Sequence, residues 1–346
     1  MKKNKKKQLY WQIPLLVVLI AGTFFIAQQN KTQFQHDSGF VFGTVYNITY
    51  QSDENLKNEI ESELKKVDNS LSMFNEKSTI TLFNKGNETV LDDDVMFKNI
   101  FNLAQTITKE TDGAFDITVA PLVNAWGFGF KNGKMPTQRQ VDSIRAFVGS
   151  DKIIMSEKDG KQHIRKKDPR TMLDCSAIAK GYGSDVVADL LRSKGITNFM
   201  VEIGGEVVAS GVSEKRVPWR IGITKPVDDS LQTQSEVLTV LNVSDIAMAT
   251  SGNYRNFYYK NGKKYAHTID PKTGFPVQHN ILSSTVLAKT CATADAFATS
   301  FMVLGLDGAQ KILKKHPELM VYFVYSDEKG NMKEWYSPKL KEKIMK

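Results

Sequence analysis

Apolar and polar residues alternate through Tyr46, Asn47, Ile48, Thr49 and Tyr50, the period-2 pattern of a strand with one face in a core. Leu56, Ile60, Leu64, Val67 and Leu71 return every three or four positions, which predicts an amphipathic helix. A second helix is expected from near Asp92, carrying Val95, Ile100, Ala104 and Ile107. Thr137, with Gln140 three residues on, has the form of a capping box opening a short helix. Further along, Val201 to Ile203 and Val207 to Ala209 flank Gly204-Gly205 as strand, turn and strand. Trp219 to Ile223, Ser235 to Val240, Tyr265 to Ile269, Ser283 to Ala288 and Met320 to Tyr325 read as strands. Ala179 to Arg192, Ala292 to Leu304 and Ala309 to Lys314 read as helices. Strands and helices do not alternate strictly. The pattern therefore favours α+β with mixed or mostly antiparallel sheets over a doubly wound α/β fold.

The start of the chain has a different pattern. Lys2, Lys3, Lys5, Lys6 and Lys7 precede a 15-residue apolar run from Ile13 to Ala27. This is the charged and hydrophobic order of an export signal. Two readings stand for residues 1–29, a cleaved signal peptide and an uncleaved signal anchor. No Cys follows the run, so a lipid anchor there is excluded. Lysines stay on the cytoplasmic side, so the folded part is expected on the periplasmic side of the inner membrane. Residues 30–39 read as a polar linker, 40–335 as one large domain and 336–346 as a basic tail.

Composition narrows the field. Hydrophobic residues make up 41% of 346 and charged residues 24%, globular values that exclude wholesale disorder and a multi-span membrane protein. The leading lysines supply five of the formal net charge of +8, which leaves too little excess for a nucleic-acid footprint. Cys175 and Cys291 are the only cysteines, too few for a Cys-rich zinc scaffold. They are either one disulfide of an exported protein or two small buried residues.

None of the five histidines makes a transition-metal pair, and neither a phosphate loop nor a Gly-x-Ser-x-Gly elbow is present. What remains are polar residues in apolar surroundings. Asp112-Gly113-Ala114-Phe115-Asp116 contains a turn signal. Asp174-Cys175-Ser176-Ala177 precedes a helix through small residues, open either to a plain N-cap or to phosphate oxygens reaching backbone N–H groups. Ser251 to Arg255 is followed by His267-Thr268-Ile269-Asp270-Pro271-Lys272-Thr273-Gly274, which ends in a tight turn. Asp295 and Thr299, four apart, share a helix face among Ala and Phe. A carboxylate there needs a cation or hydrogen-bond donors. Together with a backbone carbonyl near Ala177, the two oxygens suit Mg²⁺, which takes oxygen ligands and substrate phosphates.

These segments, in this order, resemble the ApbE family of FAD:protein FMN transferases. The resemblance rests on Leu71-Ser72-Met73-Phe74 with Ser78, Ile80, Phe83 and Asn84; Gly113 to Asp116; Asp174 with Ala179-Lys180-Gly181; Glu202 with Gly204-Gly205; Ser251-Gly252 with Tyr254-Arg255; His267 to Gly274; and Thr293 to Thr299. It covers Phe40 to Tyr325. It implies an exported enzyme that uses Mg²⁺, takes FAD as substrate, transfers FMN to a Ser or Thr of a target protein and releases AMP. By position, Asp295, Thr299 and the Ala177 carbonyl are implied Mg²⁺ ligands, with Ala298 standing where some members carry a further acid. Phe42, Phe74, Ala114, Phe115, Asp116, Asp174, Lys180 and Ile269 are implied flavin or adenosine contacts. Phe42 and Phe74 stand where relatives often carry Met and Tyr. His267 is implied as general base or positioning group, Lys180 as a clamp on phosphate, and Arg255 as a partner of phosphate or of the target loop; Asp270 shapes the turn. The implied partners are flavin-accepting subunits of membrane redox complexes of the sodium-pumping quinone reductase (Nqr) or Rnf type. An FAD pyrophosphatase with water at the same site, and a non-catalytic exported flavin-binding protein, are the alternatives. The chain carries no flavin-acceptor motif of its own, so self-flavinylation is not expected.

Overall fold

The alternating Tyr46, Ile48 and Tyr50 belong to an eight-stranded sheet whose neighbouring strands are all antiparallel. The computed structural model describes residues 13–23, 32–129, 135–227, 236–254, 257–260, 262–278 and 280–345. Helix α1 (13–23) is followed by β1 (Phe34–Val41), β2 (Thr44–Gln51), α2 (Lys57–Leu71), α3 (Thr79–Lys85), β3 (Glu88–Val90) and α4 (Val95–Glu110). Then come α5 (Ala120–Ala125), α6 (Gln138–Arg145), β4 (Ile153–Lys158), β5 (Lys161–Lys166), α7 (Ala179–Ser193), β6 (Phe199–Ile203) and β7 (Glu206–Ser210). The chain continues through β8 (Trp219–Thr224), β9 (Val237–Val243), β10 (Ile246–Gly252), β11 (Phe257–Lys260), β12 (Lys263–Ala266), β13 (Ile281–Ala288), α8 (Cys291–Leu313), β14 (Met320–Ser326) and β15 (Met332–Tyr336). The large sheet runs β1-β2-β6-β7-β10-β13-β14-β15, and β3-β5-β4, β8-β9 and β11-β12 form small sheets.

The strand period sorts side chains to the two faces of the large sheet. Along β7, Val208 packs with Ile60 and Leu64 of α2 and Val187 and Leu191 of α7. Its neighbours Val207 and Ala209 turn to the other face, against Trp219, Ile223, Leu241 and Val243 of the β8–β9 pair. The helical face continues where Phe97, Ile100 and Phe101 of α4 meet Phe297 and Phe301 of α8 over Val286 and Phe323. A satellite cluster of Leu122, Trp126, Val141, Val148 and Ile269 stands beside this core. The α+β class with antiparallel sheets in one domain is therefore the observed one, and the Thr137–Gln140 capping box is present in both directions.

Several expectations are corrected. Phe34 to Gly39 is not linker: it is most of β1, paired residue for residue with β2. The basic tail packs on the domain: a 3₁₀ segment (Pro338–Lys343) buries Leu340 against the β8–β9 face and Ile344 bridges to Leu241. The strand expected to run to Ile269 ends at Ala266, leaving His267 in the following loop. The two late helices are found as expected: they run together as α8 but are separated, just after Leu304, by a non-helical break at Gly305, whose φ of 70° lies in the left-handed region open to glycine. Cys175 and Cys291 are both buried and free, so no disulfide joins them. The leading lysines lie outside the described residues. No helix among the described residues is long and apolar enough to cross a membrane.

Candidate active site

The site begins where α7 and α8 touch. Gly181 N–H donates to Asp295 Oδ2 at 3.1 Å, and a Cβ on Gly181 would lie 2.4 Å from the Cys291 carbonyl oxygen. Only glycine lets the two helices approach this closely. The start of α8 is held from outside by Asp185 of α7, whose carboxylate accepts the N–H groups of Cys291 (2.8 Å) and Ala292 (2.9 Å). These are amides with no partner inside their own helix. Asp295 follows one turn later and Thr299 one turn after that, on the same face. Thr299 Oγ1 shares a 3.0 Å hydrogen bond with Ser251 Oγ at the end of β10. On the α7 side, Asp174 is not the N-cap: α7 starts after Ile178 with no side-chain cap, and Asp174 Oδ1 accepts Ser176 N–H at 2.7 Å. That local turn leaves Asp174, Ser176 and Ala177 on the wall of a pocket of about 630 Å³.

Charge is concentrated on this wall. Lys180 Nζ lies 2.7 Å from Glu206 Oε1 and 3.9 Å from Asp295 Oδ2. The two carboxylates are nearly sealed, at 3% and 2% exposure, whereas 30% of the Lys180 side chain opens to the pocket. Burial opposes the Lys180 charge, but Asp295 and Glu206 outweigh it and hold the ammonium above its ordinary value. Burial raises Glu206 and Asp295 above the usual carboxylate range, with Lys180 pulling both back. Glu206 is aimed here by the β6–β7 turn. Gly204 and Gly205 both adopt positive φ, the form of a two-residue hairpin, and Glu202 Oε1 accepts Gly205 N–H at 2.8 Å.

The opposite wall comes from the satellite cluster and the segment after α4. Asp116 Oδ1 accepts the N–H (2.8 Å) and hydroxyl (2.7 Å) of Thr118, and Oδ2 accepts Ser150 N–H (2.9 Å). Burial raises its carboxyl while these donors oppose the rise. Ala114, Phe115 and Ile269 are buried beside it, and Phe74 stands in the lining with 75% exposure. His267 lies on the same pocket, its ring edge-on to Phe128 with centroids 6.4 Å apart. The turn after it is fixed by Gly274 N–H donating to the Asp270 carbonyl (2.8 Å), by Lys272 N–H donating to Asp270 Oδ1 (2.9 Å) and by the Trp126 indole donating to the Gly274 carbonyl (2.8 Å).

One pocket thus gathers Phe74, Ala114, Phe115, Asp116, Asp174, Ala177, Lys180, His267, Ile269, Asp295 and Thr299 from five separate stretches of chain. Two expected contacts do not join them. Ala298 is fully buried in the helical core, without a side-chain oxygen to offer. Phe42 occupies the β1–β2 turn and packs on α7 where Gly183 makes room. Arg255 lies outside the described residues. Sequence reading missed Glu206 and Asp185. Glu206 was signalled as a lone acid opening the apolar run Glu206-Val207-Val208-Ala209. Asp185 gave no local signal, since its partners are about a hundred positions away.

The donor set suits a hard cation. Asp295 Oδ1 has no donor among the described residues, Thr299 carries a hydroxyl one turn on, and Ala177 lines the same pocket. No group of three or more His, Cys, Asp or Glu is gathered for a metal among the described residues, so a bound ligand's own oxygens would complete the coordination.

Residues 42–323 match the model of the ApbE family. An FAD:protein FMN transferase of Haemophilus influenzae is 37% identical over 330 residues, spanning 90% of this chain and 94% of that one. That of Vibrio cholerae serotype O1 is 36% identical over 346 residues, spanning 95% and 99%. Among solved structures, the flavin transferase ApbE from Vibrio cholerae superposes with a TM-score of 0.79 at 34% identity, covering 90% of this chain and 99% of that one. The ApbE protein of Thermotoga maritima gives 0.78 at 25% identity, covering 91% and 100%. By sequence and by fold, the chain belongs to the ApbE family.

Proposed function

We propose that this chain is an Mg²⁺-dependent FAD:protein FMN transferase that moves the FMN half of FAD to a Ser or Thr hydroxyl of an acceptor protein and releases AMP. The observation that carries the reading is the placement of Asp295, Thr299 and Lys180 on one pocket wall with His267 in the same cavity. The acceptor oxygen bonds to the phosphorus of the FMN half, and the bond from that phosphorus to the bridging oxygen breaks, the oxygen leaving with AMP. His267 takes the hydroxyl proton, or holds the hydroxyl while the proton leaves. Lys180, kept charged by its two carboxylates, meets the negative charge that gathers on the phosphoryl oxygens and departing AMP. Asp295, Thr299 and the Ala177 carbonyl would hold Mg²⁺, which would act as a Lewis acid on the diphosphate. Phe74, Phe115 and Ile269 offer apolar surface to the flavin or adenine rings.

The lysine-rich start and the apolar run after it support export, with the folded domain on the periplasmic side of the inner membrane. The acceptor is then an exported or membrane-exposed redox subunit, as in Nqr or Rnf complexes. The test is intact-mass spectrometry of an acceptor subunit incubated with the full chain, FAD and Mg²⁺. The expected result is an FMN-sized gain that chelator abolishes and that His267→Gly and Asp295→Ala each remove. A mass gain undiminished in both variants would refute these residue roles. Free FMN and AMP with no acceptor gain would replace transfer by hydrolysis.

A further inference from the structure

Lys180 sits between two buried carboxylates and is not shared equally: its ammonium is 2.7 Å from Glu206 Oε1 and 3.9 Å from Asp295 Oδ2. Asp295 is the residue assigned to the cation, and an ammonium closing on its Oδ2 would compete with the cation for the charge of the same carboxylate. Glu206 prevents that. It reaches the pocket from β7, a different element from both α7 and α8, so its position is set by the sheet and not by either helix. Its Oε1 takes Lys180, and its Oε2 is buried with no hydrogen-bond partner among the described residues. A buried carboxylate kept with half its acceptor capacity unused is costly unless it does something for the site. We infer that Glu206 is a positioning residue that holds the Lys180 ammonium away from Asp295 and so keeps Asp295 open to the divalent cation.

The inference rests on the reading of Asp295 as a cation ligand and goes beyond it, because Glu206 need not touch the metal. With Glu206 neutralised, the nearest remaining anion for Lys180 is Asp295, which lies within a slight side-chain adjustment. A buried ion pair formed there would have to be broken before the cation could enter. The effect of Glu206 therefore depends on Lys180 being present. A general contribution of one negative charge near the cation would not depend on it.

The experiment is calorimetric titration of Mg²⁺ into the full chain saturated with FAD, in the wild type, E206Q, K180M, E206Q/K180M and D295A, each checked for folding by circular dichroism. E206Q is expected to weaken Mg²⁺ binding by about tenfold or more in the wild-type background and by less than about threefold in the K180M background. If E206Q does not fold, Glu206→Asp makes the same comparison, since it keeps the charge but withdraws it by one methylene. Equal weakening by E206Q in both backgrounds would overturn the inference while leaving the cation site standing. Binding in D295A as tight as in the wild type, or no Mg²⁺ binding by the wild type, would overturn the cation site and the inference with it.

Discussion

The Asp185 carboxylate accepts the Cys291 N–H at 2.8 Å across the α7–α8 interface, and so one helix caps the other. With Ala292 N–H on its second oxygen, Asp185 satisfies two of the four amides that the first turn of α8 leaves without intrahelical partners. The Thr290 side chain accepts a third, from Thr293. Asp185→Ala leaves the two amides without this acceptor. Its expected cost is about 1–3 kcal/mol of unfolding free energy. Denaturant titration at pH 5, where the carboxyl carries little charge, measures it. A loss of a few tenths of a kcal/mol would mean that water replaces the carboxylate in full.

The same residue gives a pH dependence with a definite sign. Burial pushes the Asp185 carboxyl from 3.8 up to about 6, against the pull of its two amide donors. The folded state therefore holds this proton more tightly than the unfolded one. Its stabilising contribution is fully present below about pH 4 and is lost as pH rises through about 6, by roughly 3 kcal/mol at most. Asp185→Asn cannot titrate. The stability of the wild type minus that of Asp185→Asn should fall between pH 4 and 7, and parallel profiles would contradict the burial argument.

The extent to which the fold was legible follows from where the apolar residues are. The helices α2 and α4 and the central strands bury apolar side chains at their natural period, so pattern alone locates them. Strand β1 defeats that reading. It is an edge strand, and its one fully buried side chain is Asp37 (6% exposed), which accepts the Tyr50 hydroxyl at 2.8 Å. The terminal 3₁₀ segment hides one buried leucine, Leu340, among Lys339, Lys341 and Lys343. At the site, resemblance to a family supplied residues whose spacing alone did not connect them. Glu206 and Asp185 escaped because each acts through a partner distant in sequence, and such pairing exists only once the helices and sheet have packed.

Gly181 makes the α7–α8 approach testable. In an ordinary helix interior, Gly→Ala gains about 1 kcal/mol. Here the added methyl would stand 2.4 Å from the Cys291 carbonyl oxygen and 2.9 Å from the Ala292 nitrogen, backbone atoms that cannot swing aside. Gly181→Ala is expected to lower stability by about 2 kcal/mol or more despite the propensity gain. It should also weaken Mg²⁺ binding, because Asp295 Oδ2 accepts the Gly181 N–H. Denaturation and Mg²⁺ titration read the two effects separately. A stabilised variant would show that the helices can part without cost.

Thr299 separates a cation ligand from a structural hydroxyl. Its Oγ1 is 3.0 Å from Ser251 Oγ, so a purely structural role would act through that bond. Thr299→Val keeps the shape and removes the oxygen. Losing one hydrogen bond costs about 0.5–1.5 kcal/mol of stability. If Thr299 also binds Mg²⁺, the Mg²⁺ concentration for half-maximal FMN transfer should rise about tenfold, equivalent to ~1.4 kcal/mol of lost binding. Thr299→Ser should restore it. Ser251→Ala is the control: it breaks the same hydrogen bond from the other side and leaves the Thr299 oxygen in place. It should therefore lose similar stability while shifting the Mg²⁺ requirement by less than about threefold. Matching Mg²⁺ shifts in Thr299→Val and Ser251→Ala would assign Thr299 to holding β10 against α8 and remove it from the cation's ligands.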